Sequence, residues 1–469
     1  MQSNTSAKHE GGYVVFVTLA IVTVLFILTA GLVKSVENEN WFSHQEGDTL
    51  QATHIAESGL NYYLWYLNHH PDDWQDGTED VGPYIHDYTD ADGTVIGRFI
   101  LDITPPDAES GIGVIRSTGE LLDDRVPPRA IEAQVGVPSL AKYAFLTNSD
   151  VWFGSTESVD GKLHSNGGIR FDGTCNDLIT SAKETYVCGT QHGCADETKP
   201  GIWGTGGPDS FWSFPVAAID FDQISGDLSE LQTLATSGGI FIDTSNKYGY
   251  LVQLQSNGTD TAADDSMDVY TVTKTYQYTG WTEDGGDIKY RDDIKETSFL
   301  ATYAMPSNGI VFIDDQIWVK GETSSQVTIA AAHFPESTNT NRSIVIADDI
   351  TYRQHDGSMS VSLIAQEDVR VGYDSPQDLE IDAVMLAQRG KVIRPYYYGS
   401  IKNSITTYGG VISNKTWTWN WVNQWGTLID GYRYTSSSYD PHLLYTPPPH
   451  FPTTGEFEIL YWEEVIVED

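Results

Sequence analysis

Hydrophobic and polar positions divide the chain into three regimes. From Tyr13 to Val33, 21 consecutive residues are uncharged and mostly apolar, with Lys8 before them and Lys34 after. About twenty helical residues at 1.5 Å each cross a bilayer core of about 30 Å, so this run predicts a spanning helix. It is longer than a signal-peptide core, and no small-x-small cleavage site ends it. Ala52, Ala56, Gly59, Leu60, Tyr63 and Leu67 then recur at spacings of three to four, the signature of a one-sided helix. No proline interrupts the chain before Pro71, so one helix over 13–70 is expected, loosened about the polar stretch SVENENWFSHQEGD with its Gly47.

Beyond Pro71 the period changes to two. The acidic link PDDWQDGTEDVGPYIHDYTDADGT contains Asp90-Ala91-Asp92-Gly93. An EF-hand would need oxygen ligands where Tyr88 and Phe99 stand, so the Asp-Gly pair reads as a hairpin turn. Strands follow around 94–104, 112–120 and 129–137, a small sheet for the one-sided half of the helix to pack on. From about 141 short strands alternate with Gly, Asn and Ser. Over 309–395 the sequence falls into rows of 17 or 18 residues. Ile310, Val327, Ile344, Val361 and Leu379 form one column, and Phe312, Ile329, Ile346, Leu363 and Ile381 a second. Stacked aliphatic columns are what a β-solenoid needs, since each coil buries its inward residues against its neighbours. A β-sandwich is the alternative.

Composition narrows the function. The chain of 469 residues carries 66 acidic and 26 basic residues, a formal charge of −40, so phosphate neutralisation on nucleic acid is excluded as a binding mode. The three cysteines lie within 20 residues; Cys188 and Cys194 can staple a loop and leave Cys175 over, which suits an oxidising compartment. With His192 the single nearby histidine, zinc has too few ligands. No cofactor is expected, and calcium lacks a specific motif.

Candidate chemistry is sparse. His164 and Ser165 are adjacent, so on a strand they face opposite ways and form no nucleophile–base pair. Asp314-Asp315, Asp348-Asp349 and Glu367-Asp368 sit at similar places in their rows. They form either an acidic stripe for calcium or a glycan substrate, or solvated turns. In NKTWTWNWVNQWG, Trp417, Trp419 and Trp421 alternate and Trp425 extends them. They form either a platform for sugar rings or a protein partner, or an aromatic cap on the solenoid. Tyr396-Tyr397-Tyr398 adjoins that segment. No nucleotide, metalloprotease or nucleophile-elbow motif stands in its structural context, and no enzyme activity is expected.

The short polar leader ending at Gly12, the unbroken apolar helix and its one-sided continuation resemble the type IV pilin and pseudopilin superfamily. TLQATHIAESGLNYYLWYL, with Ala56, Glu57 and Gly59, resembles the A-E-x-G signature of PilX-type minor pilins. The resemblance implies peptidase cleavage between Gly12 and Tyr13, methylation of the new amino terminus, and extraction of the helix (Val17, Leu25 and Leu32 along it) into a filament core. Major pilins carry glutamate where this chain has Val17; by resemblance, its absence favours a minor or tip subunit. AKYAFLTNSDVWFGS and VDGKLHSNGGIRFDG resemble the opening of a β-helical domain found on large PilX-like proteins, and ITTYGGVISN and YDPHLLYTPPPHFP its closing coils.

The expected fold is therefore α+β, mostly β: a leader over 1–12, a helix over 13–70 spanning the membrane at 13–33, a small antiparallel β-sheet over 71–140, and a right-handed parallel β-helix over 141–465 with an insertion at 195–300. The expected role is that of a filament subunit, held in the membrane and then exported. Its expected partners are other pilins, the assembly platform and a surface glycan. A surface adhesin and, further off, a polysaccharide enzyme are the alternatives.

Overall fold

The computed structural model describes residues 11–106, 112–123, 125–221, 224–256, 258, 265–282, 286–337, 340–423, 426–444 and 446–467. The chain forms a long N-terminal helix followed by mostly β structure, in two compact units: 1–137 with 457–469, and 138–456. Most of the expected leader, residues 1–10, lies outside the described residues.

In the first unit, helix α1 runs unbroken from Gly11 to His69 over 59 residues, about 88 Å at 1.5 Å per residue. The expected loosening around Gly47 is corrected. One glycine costs a helix only about 1 kcal/mol, and no proline removes a backbone donor here. The two halves differ in surroundings. Tyr13, Phe16, Phe26 and Leu32 are all more than half exposed, whereas Ala52, Ile55, Ala56, Leu60, Tyr63 and Leu67 are buried. Burying a large apolar side chain contributes roughly 1.5–3 kcal/mol, so the second half is held by packing and the first is not.

The docked half lies on a five-stranded antiparallel sheet in the order Tyr84–Thr89, Val95–Thr104, Gly113–Leu121, Arg129–Gly136, Glu458–Val465. Its inward residues include Phe99, Leu101, Ile115, Ile131 and Val135. Helix and sheet approach closely because glycines meet there. A Cβ on Gly119 would lie 2.1 Å from the Ala52 carbonyl oxygen, and one on Gly59 would lie 2.3 Å from Ser117 Oγ. The Asp-Gly turn forms as its chemistry requires. Asp90 Oδ1 accepts from the Asp92 and Thr94 N–H groups, and Gly93 takes a positive φ of 83°. The fifth strand corrects the boundary expected at 465: Glu458 pairs opposite Gly136, so the chain returns to the small sheet after the second unit. Alternation in EFEILYWEEV suits that open edge as well as it suits another coil.

The second unit is built on parallel ladders. The first has the spatial order Ile240–Ile242, Ile310–Ile313, Gln326–Ala331, Ser360–Ala365, Asp378–Ala387, Ile401–Ser413, Phe145–Thr147, Leu163–Ser165, Ile179–Ser181, Trp212–Ser213. Later residues thus stack first and earlier ones follow, with Val411, Ile412 and Ser413 opposite Phe145, Leu146 and Thr147. Trp212–Ser213 and Ile240–Ile242, at opposite ends of the ladder, are near each other in sequence. A second ladder contains Tyr250–Gln255, Ile317–Thr323, Ile344–Tyr352, Val369–Val371 and Val392–Ile393. A third runs through the first halves of Asp378–Ala387 and Ile401–Ser413 to Leu428–Tyr439, Glu157–Asp160 and Thr174–Cys175.

The inward column of the first ladder is Val311, Ile329, Leu363, Met385, Val411, Phe145, Leu163 and Ile179, all buried. Two residues on, Ile313, Ala331, Ala365 and Ala387 give way to Ser413, Thr147, Ser165 and Ser181. These buried hydroxyls are satisfied locally: Thr147 Oγ1 donates to Ser165 Oγ, and Ser181 Oγ to the Gly167 carbonyl. On the outer face, Phe312, Ile364, Leu386 and Ile412 are covered by Leu228, Leu231 and Ala235 of helix α2, Ile224–Ser237, with Phe221, Leu443 and Phe451. Burial on both faces explains the unbroken apolar runs.

The expected columns are therefore only partly real. Val327 does pair with Val361 and Ile329 with Leu363, but Ile310 faces Thr328, and Ile344 pairs with Ile317 and Val369 in the second ladder. Loops of unequal length separate the strands, so a constant row length mixes ladders. The insertion expected at 195–300 is likewise narrower. Ile240–Ile242 and Tyr250–Gln255 are ladder strands, and the departure is the antiparallel excursion of Ser266–Thr275 with Ile294–Ala304, from whose tip Tyr278–Thr282 and Gly286–Tyr290 extend.

Candidate functional site

Two features of the described residues stand out from the packed ladders. One is the apolar half of α1, the one helix among them long and apolar enough to cross a membrane. Gly12 lies in its first turn, Tyr13, Leu25 and Leu32 are exposed on it, and Val17 is half-buried. The other is a cleft of about 1200 Å³ in the second unit.

Trp152 and Arg170, with Asp172 just after, reach the cleft from the parallel sheet of Val151–Phe153, Ile169–Phe171 and Ile202–Trp203. Arg170 lies between two indoles, 4.2 Å from the Trp152 ring centroid and 5.1 Å from that of Trp203. Its Nε donates to Asp172 Oδ2 at 2.8 Å and its Nη1 to the His192 carbonyl at 2.7 Å. Asp172 also accepts from Trp152 Nε1 and from the Thr205 N–H and hydroxyl. Burial raises the Asp172 pKa, but those bonds and the Arg170 charge outweigh it and hold the carboxyl below its ordinary value. Glu157 is buried at the base, where Thr435 Oγ1 and Asn420 Nδ2 donate to it and burial pushes its pKa up.

Another part of the lining is aromatic. Trp421 sits in strand Asn420–Val422, paired with Leu428–Tyr439. Its ring lies 5.5 Å from Trp281 and 6.1 Å from Tyr396, which stands 4.8 Å from Tyr398. Trp281 and Tyr396 exchange backbone hydrogen bonds, and the Trp421 indole donates to the Arg394 carbonyl at 2.9 Å. Cys188 and Cys194 are joined in a disulfide with Cα atoms 5.5 Å apart; the loop they close puts Thr190, Gln191, His192 and Gly193 on the rim. Cys175 is a buried free thiol.

The expected row of tryptophans is corrected. Trp417 and Trp419 are buried, Trp417 packing at 4.6 Å from Phe145 and 5.3 Å from Phe153. Trp417 and Trp421 both line the cleft, but of the described three only Trp421 is more than marginally exposed, and Trp425 lies outside the described residues. Strand geometry begins at Asn420, so the period of two does not hold through 417–421. Tyr396 and Tyr398 do join Trp421, while Tyr397 between them is buried. Trp152, Arg170, Trp281 and Arg433 come from positions far apart in sequence, and no local pattern marks them.

The other candidates have local partners. His164 bonds Thr180 Oγ1 and Asn166 Oδ1, whereas the Ser165 hydroxyl donates to the Ser149 carbonyl, so no catalytic pair forms. Asp314 pairs with His333 at 2.6 Å, Asp315 accepts from Ser245, and Asp368 pairs with Arg370 at 3.0 Å. Asp348 and Asp349 lie exposed within strand Ile344–Tyr352. The three pairs do not form one stripe, and no group of metal-ligating side chains occurs among the described residues.

No family model and no curated protein matches the chain. Among solved structures it is similar to the competence-associated pilin ComZ from Thermus thermophilus. The likeness covers 90% of this chain and 98% of that one, at 12% identity and a TM-score of 0.30.

Proposed function

We propose that the chain is a minor pilin-like subunit of a type IV pilus or related filament, of the PilX type. One observation carries the reading: a single continuous helix is bare and apolar over its first half and docked on an antiparallel sheet over its second. A bare apolar helix needs lipid or other helices around it. The polar leader ending at Gly12 supports cleavage before Tyr13 and methylation there. Held first in the membrane and then extracted, the helix packs among other pilins delivered through the assembly platform. Val17 in place of glutamate supports a minor or tip position.

The exported head is read as a right-handed β-helix. Successive parallel strands support this, since parallel crossovers are overwhelmingly right-handed. Its role is presentation at the cell surface, not catalysis.

The mass of the amino-terminal peptide from a sheared-filament fraction tests the reading. A methylated peptide beginning at Tyr13 is expected. An intact Met1 or Gln2 terminus, with all protein in the membrane pellet, would leave a plain anchor.

A further inference from the structure

We infer that the cleft between Trp152 and Trp421 binds an acidic oligosaccharide, its sugar rings lying on the aromatic wall and a carboxylate or sulfate meeting Arg433. The site does not rest on the filament reading, because it lies wholly within residues 152–433.

The first ground is the chemistry of the lining. Trp421, Trp281, Tyr396 and Tyr398 group their rings on one side, and Tyr398 is 54% exposed. A pyranose offers an apolar C–H face to such rings and hydroxyls to short polar side chains. Threonines and asparagines line the rest of the cleft. At about 1200 Å³ the space exceeds what one ring needs and suits a chain of several.

The second ground is charge. The chain carries −40, yet among the described residues the lining holds only two acids, Glu157 and Asp172, with Asp287 beside it accepting from the Tyr398 hydroxyl. Both are turned to internal partners: Glu157 accepts from Thr435 and Asn420, and Asp172 from Arg170, Trp152 and Thr205. Arg433 is exposed on the rim and has no ion-pair partner among the described residues. A planar guanidinium left free on an otherwise acidic molecule matches a carboxylate or sulfate. Single-stranded nucleic acid also stacks on aromatic rings, but its phosphates require a basic groove, and one free arginine does not make one.

The third ground is preorganisation. The ion pair Arg394–Asp430 is fully buried, and Asp430 Oδ2 accepts from the Tyr397, Gly399 and Ser400 N–H groups. It thereby fixes the turn bearing Tyr398, while the Arg394 carbonyl holds the Trp421 indole. The disulfide closes the loop that brings Thr190 to Gly193 into the lining. Ordering a binding wall in advance lowers the cost of association.

The test is retention of the full-length protein, in detergent, on an array of uronate-containing, sialylated and sulfated oligosaccharides beside neutral counterparts and proline-rich peptides. Retention on acidic glycans is expected, weakening as salt rises from 50 to 500 mM, on the order of a Debye length shrinking severalfold. Arg433→Gln should lose about tenfold on acidic glycans, which is about 1.4 kcal/mol. Tyr398→Ala should weaken binding too, both variants keeping the parent melting temperature. The inference is overturned by retention on no acidic glycan, by equal retention on neutral ones with Arg433→Gln unchanged, or by retention on the peptides alone.

Discussion

Arg394 Nη1 and Asp430 Oδ1 lie 2.6 Å apart with neither side chain exposed to solvent at all. Removing one member strands the other charge in the interior, and a broken buried pair costs about 3–5 kcal/mol. Arg394→Met should therefore lower the unfolding free energy by about that amount, whereas Arg394→Met with Asp430→Asn should recover part of it. Urea unfolding of the two variants decides the matter. Equal losses would mean that the pair acts through packing rather than charge.

The crossing of helix and sheet predicts an asymmetry between glycines. Gly119→Val drives a side chain into the backbone of Ala52 and Ala56, which cannot yield, so a loss of about 1–3 kcal/mol or more is expected. Gly47 has nothing within 4 Å of its Cβ position, so Gly47→Ala should gain about 0.5–1 kcal/mol of helix stability. Hydrogen exchange along α1 and the sheet separates the two effects.

The loop closed by Cys188 and Cys194 is short, so its bridge contributes modestly, about 2 kcal/mol in the chain-entropy account. Reduction, or Cys194→Ser, should leave the ladders folded but loosen residues 189–193. Faster proteolysis or exchange confined to that loop is the expected readout; a global loss of structure would contradict it.

Asp293 predicts a pH dependence. Burial, with the nearby Asp292 and Asp374 charges, raises its pKa to about 6 despite hydrogen bonds from the Asp374 and Tyr373 N–H groups. The unfolded carboxyl titrates near about 3.9. The folded chain thus holds this proton more tightly. Its contribution is complete below about pH 4 and is lost as pH rises through about 6. The full span is at most about 3 kcal/mol. Asp293→Asn should flatten the difference in stability between pH 4.5 and 6.5, measured against the parent protein so that the other carboxylates cancel.

The helix and the small sheet were legible because their signals are local. Ala52, Ala56, Tyr63 and Leu67 repeat along one face, and Asp90 and Gly93 mark the turn before Val95–Thr104, although its partner strand Tyr84–Thr89 stands within the stretch that reads as an acidic link. The second unit was legible in kind but not in register. Ile310 and Val311 are both buried and both aliphatic, so composition cannot say which of them faces Ile329. The strand Glu458–Val465 was misassigned because its partner, Arg129–Gly136, lies more than 300 residues earlier. The cleft was visible only through Trp421 and the neighbouring tyrosines. Trp152 and Arg433 meet there through tertiary structure alone, and Trp417 looks the same in sequence whether it lies in a core or on a surface.

The stacking order has a consequence for how the molecule is made. Phe145–Thr147 finds one of its two neighbours only when Val411–Ser413 exists, 266 residues later, and the sheet begun at Tyr84 is completed by Glu458–Val465. A chain delivered amino terminus first therefore carries an open strand edge, with its N–H and C=O groups unpaired, until almost all of it has arrived. Contacts of such long range make for slow folding and a long window in which that edge can recruit the wrong strand. Folding from the amino terminus is then a race between the arrival of Val411–Ser413 and capture of Phe145–Thr147 by another chain.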